Sequence, residues 1–254
     1  MLGNGIFNGM YNPAAVWASD SSLYLDGVND SAHLVGQESS FDNLVQTITV
    51  SMWVRLRPVE SIVDTAFFQL WTRNNGTILF WYDVTDRIMK LERKDNNGAN
   101  VQTTSATLEN LRIQSQTHAH LAFRINASGM QIFINGSEST GLSGTIPQWL
   151  TGNLYHLYLG VQTDDGDNRV KLCNGWIHDI AIWNAYLDAE TLVDIYNENE
   201  PSNILELNRS DLKYYHRFSE HHSPVDQAIA TVNEISTNSL VLSGAIITPH
   251  DQIS

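Results

Sequence analysis

The sequence predicts an all-β fold in which two antiparallel sheets pack as a sandwich, with one short helix at residues 188–197. Three observations lead to this prediction. Apolar and polar residues alternate in short runs, as expected for strands that are buried on one face. Segments rich in Asn, Asp and Gly separate these runs at hairpin spacing. One longer stretch, residues 174–197, changes from the period of a strand to the period of a helix.

The first strands are predicted close to the N-terminus. Residues 22–34 read as a strand, a turn and a strand, with Asp26 and Gly27 forming the turn. Residues 47–56 alternate cleanly, and Trp53 lies on their more polar side. A Trp in that position either packs under a loop or offers a flat surface to a ligand.

Three hairpins follow, each made of two alternating runs around a turn-forming segment. One further strand is predicted at residues 153–162, and an acidic loop at 164–168 comes after it. The hairpin strands are predicted at 66–71 and 77–82, at 87–93 and 99–107, and at 118–125 and 130–134.

The stretch from residue 174 to residue 197 organises the rest of the chain. Residues 174–183 form a strand that is largely apolar on both faces, as in a strand covered on both sides. Simple alternation places His178 on one face and Asp179 on the other. Asp188 then caps a helix, and Pro201 prevents the helix from continuing far.

This stretch resembles the closing strand and helix of laminin-G-like, or concanavalin-A-like, jelly rolls. Their usual run is G-aromatic-I-D-E-V-x-I-W-N-x-x-L-S-x-E-x-I-x-x-I-Y-N, and this chain has GWIHDIAIWNAYLDAETLVDIYN. The segments SLYLDGVND, TVSMWVRL and HAHLAFRINASGMQIFING are similar to three further motifs of the family. The resemblance implies a concanavalin-A-like jelly roll over residues 20–200. It departs from the family at His178, where the usual residue is Asp.

The regions on either side of this module are interpreted as an arm, either a flexible terminus or a strap that orders on a partner or on the domain, and as an extension that packs on the same domain. Residues 1–19, with several Gly breaks and isolated apolar residues, form an N-terminal arm. Residues 201–254 are a C-terminal extension, because they are too few for an independent core and because residues 212–218 alternate like a strand. The pattern of this extension is similar to tails that follow the module in tailed-phage structural proteins.

Composition and charge exclude several classes of function. The net charge of −14 argues against nucleic acid as a partner, and Cys173 is the only cysteine, so no intrachain disulfide forms. No export signal follows Met1, and nothing approaches the roughly 18 apolar residues of a membrane span. Because the module is usually extracellular, the lack of an export signal indicates either a protein that stays in the cytosol or one that leaves without a signal, such as a virion protein released by lysis of an infected cell.

The sequence predicts that the protein is not an enzyme. Glycoside hydrolases of this fold carry two carboxylates close together on one strand face, usually in an E-x-D-x-x-E run. The chain has no such run, and its nearest acid pairs, Asp83 with Asp86 and Glu198 with Glu200, stand at turn or linker positions. A polysaccharide hydrolase or lyase on the same sandwich stays the alternative, together with a free carbohydrate-binding module.

A cofactor is not required by this interpretation, but a structural calcium ion is a candidate. The resemblance implies it, since relatives often bind calcium through loop oxygens, and the candidate ligands here are Asp26, Asn29 and Asp30. The alternative is that these residues only form the turn.

The predicted function is that of a non-enzymatic virion structural protein, either a capsid-surface fibre or a decoration protein, that displays a lectin-like domain. Its partners are expected to be virion proteins or copies of itself and a glycan on the host surface, but neither nucleic acid nor membrane. Sugar binding needs an accessible aromatic ring with amides and carboxylates nearby, although each such ring can equally belong to the core. The candidate ligand-binding residues are Trp81, Tyr82, Trp149, Asp165 and Asn168.

Overall fold

A computed structural model describes most of the chain between Ser21 and Pro249. The described ranges are 21–35, 47–57, 63–72, 76–94, 101–107, 118–139, 142–143, 154–163, 168–197, 204, 211–216, 230–232, 239–243 and 246–249. The predicted arm at 1–19 lies outside them. Within these ranges the chain forms one helix, α1 (Ala189–Tyr196), and the strands β1 (Ser21–Asp26), β2 (Ser31–Val35), β3 (Ile48–Leu56), β4 (Thr65–Thr72), β5 (Thr77–Asp83), β6 (Ile88–Lys94), β7 (Val101–Thr107), β8 (Ala119–Asn126), β9 (Gly129–Ile134), β10 (Ser137–Glu138), β11 (Leu142–Ser143), β12 (Leu154–Leu159), β13 (Gln162–Thr163), β14 (Arg169–Val170), β15 (Asn174–Trp183), β16 (Leu212–His216), β17 (Ala230–Val232), β18 (Ser239–Ser243) and β19 (Ile246–Pro249).

The strands form two large antiparallel sheets. The nine-stranded sheet has the order β10-β9-β8-β3-β15-β1-β19, with β11 also paired to β9 and β16 also paired to β15. The eight-stranded sheet has the order β17-β18-β2-β12-β4-β5-β6-β7, and β13 and β14 form a separate pair. Strands far apart in sequence, such as β1 and β15, are neighbours, as in a jelly roll. The prediction of an all-β, two-sheet sandwich with a short helix is confirmed.

The main hydrophobic core lies between the two sheets. Along most strands, buried apolar residues that face the opposite sheet alternate with residues that face outward. Burying a large apolar side chain stabilises the folded state by roughly 1.5–3 kcal/mol, so this core is the main source of stability. Its fully buried aromatic side chains are Phe67, Phe68, Phe80, Tyr82, Phe123 and Tyr214.

A β-bulge divides β15 into two halves that alternate out of step. The register with β3 shifts between His178 and Ala181, and Asp179 has φ 47°. Ile177 faces the core before the bulge and Ile180 faces it afterwards. The prediction that His178 and Asp179 lie on opposite faces of the strand is therefore wrong. The Asp179 Oδ2 accepts a hydrogen bond of 2.8 Å from the Nδ1 of His178.

Helix α1 packs on the outer face of the nine-stranded sheet, and its position agrees with the predicted helix at 188–197. Asp188 caps it by accepting a hydrogen bond of 2.7 Å from the Thr191 N–H, and Asn197 ends it at φ 44°. No helix in the described ranges is both long and apolar enough to cross a bilayer. The apolar cluster between helix and sheet includes Ala122, Phe133, Ala181, Trp183, Leu187, Leu192, Ile195 and Tyr215.

Strands of the C-terminal extension take part in both large sheets. β16 pairs with β15, β18 pairs with β2, and β19 pairs with β1. On β16, Tyr214 lies in the main core and Tyr215 lies in the cluster beneath α1. The Tyr215 hydroxyl donates a hydrogen bond of 2.9 Å to Asp179 Oδ1, so the extension contacts the bulge in β15.

Candidate functional site

The outer face of the eight-stranded sheet is the candidate site. Helix α1 covers part of the outer face of the other sheet, whereas no described helix lies on this one. On β2, β12 and β4 the outward residues alternate with residues of the main core, which places several ring side chains on one surface. We call this group the ring platform, and it consists of His33, Trp71, His156 and Tyr158.

The rings of the platform contact one another closely. His33 stacks on Tyr158, with ring centroids 4.5 Å apart and planes inclined by 16°. His33 Nε2 lies 3.0 Å from His156 Nδ1, a hydrogen bond in which one ring donates and the other accepts. Trp71 borders His156 at 6.3 Å between centroids. The two imidazoles and the phenol are partly exposed, so each offers some of its surface to a ligand.

His33 is neutral at pH 7. Partial burial lowers its pKa to about 4, and the neighbouring His156 adds to the shift. A neutral His33 ring carries one donor and one acceptor nitrogen, and its Nε2 is the one that bonds His156. Stacked rings with neutral polar edges suit the apolar C–H faces and the hydroxyl groups of a sugar.

Trp81, one of the predicted ligand residues, lies on the same outer face. It belongs to a small apolar cluster outside the main core, and 6% of its surface is exposed. Two ammonium groups lie over its ring, with Lys171 Nζ 4.2 Å and Lys90 Nζ 5.1 Å from the ring centroid. This part of the face therefore presents lysine side chains rather than an open indole.

Gln69 attaches the β13–β14 pair to this face. Its buried side chain donates from Nε2 to the Thr163 carbonyl at 2.9 Å and accepts from the Thr163 N–H at 2.7 Å. The side-chain amide of Gln69 thus pairs with both backbone polar groups of Thr163, as the backbone of a neighbouring strand would. Asn168, another predicted ligand residue, is exposed immediately before β14. Asp165, between the two strands in sequence, lies outside the described residues.

The remaining two predicted ligand residues are aromatic. Tyr82 follows Trp81 in β5, so its side chain points to the opposite face, where it is 1% exposed in the main core. Its phenol is unavailable to a surface ligand, which argues against the prediction of Tyr82 as a ligand-binding residue. Trp149 lies outside the described residues.

The sequence prediction does not include the four rings of the platform. His156 and Tyr158 alternate with Leu157 and Leu159, so the sequence does indicate that the two rings share a face of β12. It does not indicate that His33, 123 residues away in the chain, lies against them. That contact depends on the pairing of β2 with β12.

The predicted calcium ligands lie in the turn between β1 and β2. Asp26 Oδ1 accepts hydrogen bonds from the N–H groups of Val28 at 2.7 Å and Asn29 at 3.4 Å. Asp30 Oδ2 accepts one from the Asp26 N–H at 2.8 Å, so one oxygen of each carboxylate already stabilises the turn. Calcium takes about six to eight oxygen ligands. No group of three or more Asp, Glu, His or Cys residues suited to a metal occurs in the described ranges, so calcium binding stays a prediction.

We expect Asp30→Asn to leave the free energy of unfolding at pH 7 unchanged or slightly higher. Burial raises the pKa of Asp30, and repulsion from Asp26 adds to the shift, so the folded state disfavours the charged form. Asparagine removes the charge and keeps an acceptor for the Asp26 N–H. Asp30→Ala loses that acceptor and should cost about 1–3 kcal/mol. Urea unfolding of both variants measures the difference.

A bound calcium ion would give the opposite result for Asp30→Asn. EDTA would then lower the melting temperature of the natural sequence, because a ligand of the native state is removed. The same treatment would leave Asp30→Asn unaffected. Elemental analysis of the purified protein identifies the ion.

The acid pair Asp83 and Asp86 has a structural role. Asp83 Oδ1 accepts hydrogen bonds from the N–H groups of Thr85 at 2.9 Å and Asp86 at 3.0 Å, and its Oδ2 lies 2.5 Å from Lys90 Nζ. The hydrogen bond from Lys90 and those from the backbone lower the pKa of Asp83. A general acid in glycoside hydrolysis needs a raised pKa, so Asp83 is not suited to that role. The second pair, at 198 and 200, lies outside the described residues.

The two packed antiparallel sheets define a lectin-like sandwich. Residues 26–192 match the sequence model of the Concanavalin A-like lectin/glucanases superfamily. This match covers well over half of the chain, and the protein belongs to that superfamily. No curated protein sequence matches the chain.

Solved structures that share the fold include several binding domains. A Bacteroides ovatus protein assigned to carbohydrate binding has a TM-score of 0.61 at 12% identity, and the match covers 92% of this chain and 61% of that protein. The heptameric SAP-like pentraxin of Limulus polyphemus has a TM-score of 0.60 at 12% identity, covering 93% and 98%. The CBM40 domain of the Ruminococcus gnavus IT-sialidase has a TM-score of 0.55 at 10% identity, covering 70% and 99%. At these identities the likeness shows the fold alone.

Proposed function

We propose that the protein is a non-enzymatic, lectin-like domain that binds a glycan at the ring platform. The observation that carries this proposal is the stack of His33 on Tyr158, which is partly exposed and bordered by His156 and Trp71. The ring faces provide apolar surface for the C–H groups of a sugar, and the imidazole edges provide donors and acceptors for its hydroxyls. The lowered pKa of Asp83, which does not suit a general acid, supports binding without hydrolysis.

Proteins of the same fold bind sugars, which also supports the proposal. The CBM40 domain of the Ruminococcus gnavus sialidase is known in complex with α2,3-sialyllactose. Cell entry of botulinum neurotoxin type C, which also contains this fold, depends on interaction with two ganglioside molecules. Neither ligand is assigned to this chain, because the identities are only 10% and 15%.

A glycan array at pH 7.4, followed by calorimetry with a retained glycan, tests the proposal. Tyr158→Ala should weaken binding by about tenfold or more, since loss of one central ring contact costs about 1.4 kcal/mol or more. Thr103→Ala is the control, because Thr103 is exposed at β7 of the same sheet and outside the platform. Absence of any retained glycan, or equal binding by a folded Tyr158→Ala variant, would overturn the proposal. Polysaccharide turnover that is lost in Asp83→Asn would instead assign a hydrolase.

The finer part of the proposal places this domain on a virion, as a capsid-surface fibre or decoration protein. Its support is the C-terminal extension, whose sequence is similar to tails of tailed-phage structural proteins. The net charge of −14 is consistent with a position on the capsid surface, because the packaged genome would repel an acidic domain. Virion subunits and a host-surface glycan would then be the partners. Mass spectrometry of purified particles tests this location, and absence of the protein from them contradicts it.

A further inference from the structure

A second surface that combines aromatic rings with positive charge lies on the nine-stranded sheet. Tyr24 of β1, Trp176 of β15 and Arg55 of β3 are directly paired across three adjacent strands. Leu23 and Leu25 beside Tyr24, Val54 and Leu56 beside Arg55, and Ile177 after Trp176 belong to the main core, so these three side chains face outward. Arg57 follows two residues after Arg55 and is exposed. We call these four residues the arginine–aromatic row.

Direct contacts hold the row together. The rings of Tyr24 and Trp176 have centroids 5.3 Å apart and planes inclined by 44°. The guanidinium carbon of Arg55 lies 4.9 Å from the centroid of Trp176. Arg57 Nη1 donates a hydrogen bond of 3.3 Å to the Tyr24 hydroxyl, and its backbone N–H bonds the Asn174 carbonyl at 2.9 Å. The positions of the ring faces and of the Arg57 backbone are therefore well defined.

The arginine–aromatic row lies at the end of β15 that is farther from the cluster beneath helix α1. Trp176 stands near the start of β15, whereas Trp183, at the other end of the strand, packs in the cluster beneath α1. Tyr24 and Trp176 are partly exposed. A ligand can therefore reach ring surface and a guanidinium group at the same place.

The charges of the row favour an anionic group. Within the described ranges Arg57 forms no ion pair with a carboxylate, and its bond to Tyr24 leaves further N–H donors for a ligand. A planar guanidinium binds a carboxylate or a sulfate through two parallel hydrogen bonds. The exposed guanidinium of Arg57 therefore stands beside two partly exposed rings.

We propose that the arginine–aromatic row binds an acidic sugar, with its carboxylate or sulfate group at Arg57 and its ring against Trp176. A long polyanion is disfavoured, because the chain carries a net charge of −14 and the row has only two cationic groups. A single acidic sugar needs no extended basic surface. This site is separate from the ring platform, which lies on the other sheet and presents a neutral imidazole at His33.

Titration of the full chain, followed by NMR of the indole N–H signals, tests the second site. The probes are methyl β-glucuronide, glucose 6-sulfate and the neutral methyl β-glucoside. We expect at least one acidic probe to bind about tenfold more tightly than the neutral one and to shift the Trp176 signal. Arg57→Gln should abolish this preference. Arg57→Lys keeps the charge without the planar donor pair, so it should retain only part of the preference.

The variants separate this site from the platform. Arg57 is exposed, so both substitutions should keep the natural melting temperature, which circular dichroism checks. Tyr158→Ala should leave the preference for acidic probes unchanged, whether or not the platform binds a glycan. Equal affinity for acidic and neutral probes, or a full preference in folded Arg57→Gln, would overturn the proposal. Loss of acidic binding in Tyr158→Ala would assign the anion to the platform and also overturn it.

Discussion

Deletion of residues 201–254 is expected to prevent formation of a stable sandwich. β16, β18 and β19 pair with strands of both large sheets, and deletion would leave β15, β2 and β1 without these neighbours. Tyr214 and Tyr215 are fully buried, and each contributes roughly 1.5–3 kcal/mol through apolar burial. A domain is stable by only about 5–15 kcal/mol, so the combined loss is a large share of the total. Soluble expression and thermal melting of the shortened chain measure the effect.

Point variants in β16 separate packing from general effects of truncation. Tyr214→Ala should cost about 3–5 kcal/mol, as for other large aromatic residues in a core. Tyr215→Phe keeps the ring but removes the donor to the buried Asp179, so it should cost about 1–3 kcal/mol. Lys213→Ala, at the half-buried position immediately before Tyr214, is the control, with a change within about 0.5 kcal/mol. An unchanged melting temperature after deletion would show that residues 201–254 are not part of this domain.

Gly175→Ala is expected to cause a second large loss of stability. A Cβ at this position would lie 2.9 Å from Leu56 Cα and closer still to the Arg55 carbonyl oxygen. Both are backbone atoms of β3, which pairs with β15 at this point, so no side-chain rotation relieves the contact. Two central strands of the nine-stranded sheet would have to move apart. We expect a cost of about 3 kcal/mol or more in the free energy of unfolding.

Urea unfolding of Gly175→Ala and of the control Val193→Ala measures this cost. Val193 is exposed on α1, so its truncation should change the unfolding free energy by no more than about 0.5 kcal/mol. A value for Gly175→Ala within about 1 kcal/mol of the natural sequence would contradict the close approach of β3 and β15. It would also weaken the case for the arginine–aromatic row, whose members lie on either side of this contact.

The candidate site is predictable from sequence only in part. Trp81 is selected because an aromatic residue near a turn suits sugar binding, and the structure does place it on the outer face. Its coverage by Lys90 and Lys171 is not predictable, because Lys171 is ninety residues further along the chain and reaches the ring from after β14. The ring platform depends in the same way on contacts between β2 and β12. Neither strand contains a motif that identifies its partner.

Local sequence patterns specify the strands and the helix of this protein. The predicted hairpin strands correspond to β4 with β5, β6 with β7 and β8 with β9, because alternation and turn residues act over a few neighbouring positions. The helix is likewise specified locally, by the cap at Asp188 and by the apolar positions that follow it.

Which strand faces and which rings contact one another depends on strand pairing and on the packing of the two sheets. The bulge at Asp179 is the clearest case, because it reverses the alternation of β15 and joins Asp179 to His178. Asp179 also accepts a hydrogen bond from the hydroxyl of Tyr215, a residue of the C-terminal extension. The hydrogen bond from Tyr215 helps to stabilise the positive φ of Asp179, and Tyr215 lies on a strand far away in sequence. Local sequence patterns carry no information about that contact. The ring platform and the arginine–aromatic row arise in the same way, from strand pairing across the two sheets.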